Sequence, residues 1–335
     1  MLGLREGEDG VGLKLRYFAA EGGAAVLSCA GSGSSVRLPE TAGGLPVREI
    51  CPYAFSSPES AAARLPAGAE VLTAGPGGPA VPGGGEAFLG GPSLREAVLP
   101  PGIRSIGEYA FYNCTSLSRI VLGAGEIRVG NGAFMNCGAL HEIVFSARPG
   151  GRTCLPGLLA EIQGEVRVSF RSGEETEAVW IFPEYFEESV ENAPARIFEH
   201  FIRGAGYRYR QCFREDRLDA EGYDGQFLAA GAELEPETAL RIALERLRRP
   251  YRLSEPAEKR YLSHLREHAA EAAGLLIRAD DPEGLSFLAE RGVLTLESMD
   301  SALRTAAREG RAECLSVLLS ERHRRFAPKE KTFDL

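Results

Sequence analysis

The sequence contains no long apolar run. The opening decapeptide, MLGLREGEDG, carries acidic residues and lacks the apolar stretch of roughly 7–15 residues that a signal peptide needs, so we expect none. No segment approaches the roughly 18 consecutive apolar residues of a membrane helix. The net charge is −9, which argues against nucleic acid or an anionic membrane as the main partner. We therefore predict a protein partner, with no nucleic acid and no membrane.

Cysteine pairs with metal-ligand or redox spacing are also absent. The chain has seven cysteines, an odd number, and none of them lies in a C-x-x-C motif. Without an expected export signal, they are best interpreted as reduced thiols of a cytoplasmic protein.

A repeated sequence motif organises the N-terminal half of the chain. GEYAFYNCTSL at 107–117 returns 23 residues later as GNGAFMNCGAL at 130–140, and EAFLGGPSL places Ala87 and Phe88 in the same register. Further upstream, VRLPETAGGLPVREICPYAF matches VLPPGIRSIGEYAF with an insertion between Pro39 and Val47. Self-similarity at a fixed period of 20–30 residues is typical of a solenoid, whose coils bury their apolar faces against one another.

Each unit opens with L-x-x-(A/I)-x-(L/F), which predicts a short strand with alternate side chains in the core. The predicted core pairs are Ala97 and Leu99, Ile120 and Leu122, and Ile143 and Phe145. On the following turn we expect Phe111 and Phe134 to fill the space between coils. We expect Cys114 and Cys137 to be small buried side chains, with a metal or disulfide pair as the weaker alternative.

The residues between the core positions must face outward. They form two ladders across adjacent coils, one of charge and one of valine: Glu96, Arg119 and Glu142, and Val98, Val121 and Val144. Opposite charges in the first ladder can pair laterally. We predict that this strand face binds the partner and that the valine ladder is its apolar centre, although strand propensity alone would also select valine.

The pattern L-x-x-I-x-I-P…I-G-x-x-A-F-x-x-C-x-x-L resembles the BspA-type leucine-rich repeat of bacteria. LREAVLPPGIRSIGEYAFYNCTSLSRIVL carries the resemblance, which is specific over 86–145 and recognisable at 36–55. At 56–85 it is replaced by a run rich in glycine and proline, predicted to be a loop. The resemblance implies a protein-binding solenoid of a family often found on cell surfaces.

The second half changes periodicity. EVRVSF at 165–170 and AVWIF at 178–182 predict strands that close the solenoid, and helices follow from Glu235. EGLSFLAERG at 283–292 aligns with ECLSVLLSER at 313–322, a spacing of 30. SALRTAAREGRAECLSVLL at 301–319 resembles the ankyrin helix–turn–helix, departing at its T-P-L-H tetrapeptide; a generic array of helical hairpins is the alternative. The matched core and turn positions are Ala306, Ala307, Gly310, Leu318 and Leu319.

Two motifs could carry other chemistry. HLREH at 264–268 would place His264 and His268 one helical turn apart, where they could share zinc with Glu267 as general base. No third ligand is evident except the nearby Glu271, so two histidines on a charged helix are favoured. RGAGYRYRQCFR at 203–214 could stack bases on a basic strip, but an ordinary strand is favoured, with its arginines paired to acids such as Glu184, Glu187 and Glu188.

The sequence thus predicts an α+β chain: a short leucine-rich-repeat β-solenoid followed by an α-helical, ankyrin-like repeat domain over about 270–320. The predicted regions are a lead-in strand region (1–23), the solenoid (24–150, with a Gly/Pro loop at 74–85), a capping and connecting region (151–232), the helical domain (233–326) and a tail (327–335). We expect a non-enzymatic interaction module of a bacterial cytoplasm with no cofactor and no metal. The alternatives are a cell-surface adhesin-like protein and a zinc hydrolase built on HLREH.

Overall fold

The computed structural model describes residues 13–62, 65–67, 69–74, 87–123, 125–192 and 197–326. The chain divides into two compact units, Met1–Tyr223 and Asp224–Leu335. The first unit is mainly strands and the second mainly helices, so the predicted α+β class is confirmed. The predicted loop at 74–85 lies outside the described residues, apart from Ala74.

The strands follow one another in short segments. They are β1 (Lys14–Ala20), β2 (Gly23–Gly31), β3 (Ser35–Arg37), β4 (Thr41–Ala42), β5 (Leu45–Ile50), β6 (Leu72–Ala74), β7 (Ala87–Phe88), β8 (Glu96–Val98), β9 (Ser105–Ile106), β10 (Arg119–Gly123), β11 (Arg128–Val129), β12 (Glu142–Ser146), β13 (Val166–Ser172), β14 (Glu175–Phe182), β15 (Phe186–Asn192), β16 (Ile197–Arg203), β17 (Phe213–Arg214) and β18 (Arg217–Leu218).

The helices concentrate in the second unit. They are α1 (Pro58–Ala62), α2 (Leu155–Glu161), α3 (Gly206–Tyr209), α4 (Ala220–Ala230), α5 (Pro236–Arg248), α6 (Glu255–Glu267), α7 (Ala269–Arg278), α8 (Pro282–Glu290), α9 (Leu296–Arg308) and α10 (Ala312–Phe326).

The first sheet is a parallel ladder built from one strand of each coil. Its order is β14-β13-β12-β10-β8-β3, and all pairs except β13 with β14 are parallel. Ile120 pairs with Ala97 on one side and Ile143 on the other, and all three are fully buried. All six predicted core positions are buried, which confirms the strand period and its register.

The second sheet lies on the return side of each coil. Strands β5, β9 and β11 pair in parallel, with Ile106 in register with Ile50, and Val129 with Ile106. The antiparallel hairpin β1–β2 extends this sheet, because β2 also pairs in parallel with β5. The β4–β5 hairpin is the insertion that the sequence comparison placed between Pro39 and Val47.

Aromatic rings stack between coils as predicted. The ring centroid of Phe111 lies 4.7 Å from that of Phe55 and 5.0 Å from that of Phe134, with nearly parallel planes. Cys114 and Cys137 are buried free thiols that donate to the carbonyl oxygens of Phe55 and Phe111 at 3.3 and 3.1 Å. Burial raises the pKa of the Cys114 thiol to about 12 and raises that of Cys137 as well.

The repeated glycines are required by the close approach of neighbouring coils. A Cβ on Gly107 would lie 2.4 Å from the backbone nitrogen of Pro52, and one on Gly130 would lie 2.5 Å from that of Glu108. Real Cβ atoms do not come so close, so a side chain at either position would push adjacent coils apart.

The prediction that Phe88 belongs to the Phe ladder is wrong. The sequence register placed Ala87 and Phe88 on the same turn as Phe111, but β7 instead pairs antiparallel with β2 at the other end of the second sheet. Phe55 stacks directly on Phe111, so coil 36–55 is the immediate neighbour of the coil that begins at Leu94. The described strand that precedes this dipeptide, β6, pairs with β1 in the second sheet and is not part of the parallel ladder of the first sheet.

The parallel ladder continues beyond the predicted end of the solenoid at residue 150. Val168 pairs with Ile143, and the Phe170 ring stacks on that of Phe145 with centroids 5.0 Å apart. The antiparallel strand β14 then ends the sheet, with buried Trp180 against Phe170. The predicted strands at 165–170 and 178–182 are therefore present.

The strip at 203–214 does not form the predicted strand. Residues 206–209 are helical (α3). Arg203 does pair with one of the predicted acids, Glu188, at 3.4 Å, but Arg210 is buried away from acidic partners. Its guanidinium donates to the carbonyl oxygens of Ile162 at 2.9 Å and Gly164 at 2.7 Å, and it stacks over the Tyr185 ring. Burial lowers the pKa of Arg210 to about 10. The buried side chain thus satisfies carbonyl groups that a strand could not reach.

The helical unit contains antiparallel hairpins, as predicted. Helices α9 and α10 flank a turn at Gly310, whose φ of +68° favours glycine. Ala306 and Leu318 are fully buried, in agreement with the prediction. Ala307 is exposed and Leu319 is 52% exposed, so these two predicted core positions are wrong. Ala289 occupies the position in α8 that Leu319 occupies in α10, and it is buried. The same face is therefore covered on α8 and exposed on α10.

A buried ion pair anchors the helical unit, and no pattern in the sequence indicated it. Arg246 donates to both carboxylate oxygens of Asp224 at 2.8 Å, and Tyr261 donates to the same carboxylate at 2.8 Å. Both charged side chains are almost completely inaccessible to water.

Candidate binding face

The outer face of the first sheet carries the predicted charge ladder. Arg119 forms ion pairs with Glu96 on β8 and with Glu142 on β12, the latter at 3.0 Å between Nε and Oε2. The ladder extends one strand further than predicted, because Arg167 on β13 pairs with Glu142 at 3.4 Å. These alternating charges satisfy one another across the strands.

The valine ladder lies two residues further along the same strands. Val121 is in register with Val98 and with Val144, as the alternation predicted. Val98 and Val121 are half-buried, but Val144 is only 2% exposed, which corrects the prediction that all three face solvent. Its register partner on β13, Ser169, is also 2% exposed. The open part of the face therefore lies towards β3 and β8.

A groove of about 730 Å³ opens beside the accessible valines. We call it the apolar groove. Its lining is mainly aliphatic and includes Leu13, Leu15, Leu38, Val98, Leu99 and Val121. Pro100 and Pro101 form part of its wall at the end of β8, where the chain leaves the sheet. The sequence indicated the valines but not the groove, because Leu13 and Leu15 come from the separate β1 hairpin.

The HLREH motif lies at the end of α6. The rings of His264 and His268 are neighbours, with centroids 4.7 Å apart, and the His264 ring also packs edge-on against Phe227 at 5.2 Å. Burial lowers the pKa of His264, and the nearby His268 lowers it further. Among the residues with described positions, no three His, Cys, Asp or Glu side chains are grouped so that they could hold a metal ion.

In the described part of the chain, no helix is both long and apolar enough to cross a bilayer.

The stacked coils, the Phe ladder and the parallel strand sheet together define a leucine-rich-repeat solenoid. Residues 84–149 match the family model of the BspA type leucine rich repeat region (6 copies). This part of the chain is a BspA-type leucine-rich repeat, as its residues predicted. No curated protein matches the chain.

Among solved structures, the crystal structure of a T. pallidum leucine rich repeat protein is similar at 22% sequence identity. The match covers 39% of this chain and 57% of that chain, with a TM-score of 0.24. The match thus spans less than two thirds of that protein's length. Leucine-rich repeats generally present extended surfaces for binding other proteins.

Proposed function

We propose that this chain is a non-enzymatic protein–protein interaction module of a bacterial cytoplasm, which binds an extended apolar segment of its partner in the apolar groove. The observation that carries the proposal is the combination of an open aliphatic groove with two accessible valines at its floor. On the strands that carry these valines, Arg119 is already paired with Glu96 and Glu142. They are poor anchors, because a partner would first have to break those pairs.

The apolar lining supports a hydrophobic occupant. Leu13, Val98 and Val121 keep accessible surface that an occupant would cover, whereas Leu15, Leu38 and Leu99 are already buried and shape the groove. Fully burying an exposed valine or leucine stabilises a complex by about 1.5–3 kcal/mol, so each of the three half-buried side chains can contribute a part of that. Concave, mainly apolar sites are where proteins most often bind ligands and peptide segments.

The test is Val121→Glu, which places a charge at the groove floor. Because Val121 is half-buried on the outer face, we expect the variant to fold. We expect capture of partners from the native lysate, identified by mass spectrometry, to fall by about tenfold or more, since an unpaired carboxylate would be buried in the complex.

The matched control is Met135→Glu, which introduces the same charge at an apolar side chain that is 45% exposed outside the groove. We expect it to retain the partners. If a folded Val121→Glu protein captures every partner that the wild type captures, the groove is not the binding site. Fractionation of native cells separates the cytoplasmic proposal from the adhesin-like alternative.

A further inference from the structure

A second groove of about 540 Å³ is lined by three arginines, Arg48, Arg104 and Arg128. We call it the arginine groove. Pro101 lines both grooves, so the arginine groove adjoins the apolar groove. An anionic group on a segment lying in the apolar groove could therefore reach the arginines.

Arg48 is held in place before any ligand arrives. Its Nη1 donates to the carbonyl oxygen of Gly102 at 2.9 Å, and its side chain lies over Gly23 and Gly102. A Cβ on Gly23 would lie 2.6 Å from Cγ of Arg48, and one on Gly102 would lie 2.5 Å from Nη1. The Nε atom of Arg48 is buried and has no hydrogen-bond acceptor among the described residues. The carbonyl oxygen of Gly102 is therefore the one hydrogen-bond acceptor that the described structure gives this guanidinium group.

Arg104 and Arg128 are exposed, and they form no ion pair with any residue that the structure describes. Several other described arginines differ in this respect: Arg119, Arg152, Arg167, Arg246 and Arg291 each pair with a carboxylate. Glu126 is the carboxylate that lines the arginine groove, and it pairs with Arg152 at 3.3 Å.

Three guanidinium groups around one opening, in a chain of net charge −9, favour a ligand with more than one negative charge. A phosphate monoester carries about −1.5 to −2 charges at neutral pH, and its oxygens match the fork of the guanidinium group. Gly125 lines the groove as well, and no atom lies within 4 Å of where its Cβ would be, so such a group has room to approach the backbone there.

We propose that the arginine groove binds a phosphate group carried by a phosphorylated side chain of the protein partner, next to the apolar segment. This inference rests on the proposed function for the identity of the partner, but the anion site itself can be tested without a partner.

The experiment is calorimetric titration of the full chain with O-phosphoserine and, separately, with inorganic phosphate. We expect both to bind, and we expect Arg104→Gln and Arg128→Gln each to weaken binding by about tenfold, the loss typical of one charged hydrogen bond. Both residues are exposed, so neither substitution should disturb folding. The control is Arg304→Gln, at an exposed position of α9, which removes the same charge from the helical unit and should leave the affinity unchanged.

The site is refuted if neither anion binds to the wild type, or if both arginine variants bind as the wild type does. Binding of inorganic phosphate without O-phosphoserine would contradict a phosphorylated side chain as the source. Arg104-dependent binding to phosphatidylglycerol vesicles, without O-phosphoserine binding, would indicate a lipid headgroup instead. These outcomes do not depend on Val121→Glu, so failure of the phosphate site and failure of the apolar groove are distinguishable.

Discussion

Phe111 is enclosed on both sides by aromatic rings and has no accessible surface. Replacing it with alanine would remove two stacking contacts and leave a cavity that the rigid coils on either side cannot close. We expect Phe111→Ala to lower the free energy of unfolding by about 3–5 kcal/mol, measured by denaturant titration. Met135→Ala is the control, because that side chain is 45% exposed and should cost little. A loss below about 1 kcal/mol for Phe111→Ala would contradict the inter-coil role of this ring.

His264 makes the stability of the helical unit depend on pH. Burial and the nearby His268 lower its pKa from the usual value of about 6.5, so the unfolded chain binds the proton more tightly than the folded one. The contribution of His264 to stability is therefore present above about pH 6.5, and it is lost as the pH falls from there through the lower pKa of the folded state.

The measurement is urea unfolding at pH 7.5 and 5.5. We expect the difference in stability between the two pH values to be smaller in His264→Gln than in the wild type. His323→Gln, at an exposed position on α10, should leave the difference unchanged. An equal pH dependence in His264→Gln and the wild type would show that His264 does not contribute.

At the scale of the element, the Phe134 turn, the last of the Phe ladder, needs a substitute for the carbonyl group that a further turn of the ladder would supply. The backbone N–H of Phe55 donates to Ala110, and that of Phe111 donates to Ala133, each on the next coil. For Phe134 the acceptor is the side chain of Glu161 at the end of α2, at 2.7 Å. A carboxylate thus replaces the missing carbonyl group at the end of the stack.

Removal of that acceptor should destabilise the solenoid. We expect Glu161→Met to cost about 1–3 kcal/mol in denaturant titration, because it leaves the N–H of Phe134 without a partner. Glu161→Gln retains a side-chain oxygen and should recover most of the loss. If Met and Gln were equally destabilising, the hydrogen bond would not be the cause.

At the scale of the whole molecule, the solenoid could be predicted because its sequence repeats locally. Features that depend on contacts between distant parts of the chain could not be predicted. The register of Ile120 with Ala97 and Ile143 followed from the 23-residue period, since each coil repeats the same local rule. The apolar groove did not follow, because Leu15 reaches it from a hairpin outside the period. The burial of Arg210 could not be predicted either, because its carbonyl partners near Ile162 lie almost 50 positions away in the sequence.

Phe55 stacks directly on Phe111 across 56 positions of sequence, and this determines where the chain can accept insertions during evolution. The contacts between the two coils do not depend on the length of the segment that connects them. Doubling the length of a flexible connection costs only about 0.6 kcal/mol of closure entropy. Residues 75–86 are therefore a place where insertions can accumulate, while neighbouring coils retain their spacing. We expect a variant with the 75–86 segment duplicated to keep the melting temperature of the solenoid within a few degrees, because a longer connection adds little closure entropy. Removing residues within 107–117 should instead prevent folding. Because Ala74, directly before this segment, lines the apolar groove, such insertions would change the rim of the binding face while the stack of coils stays intact.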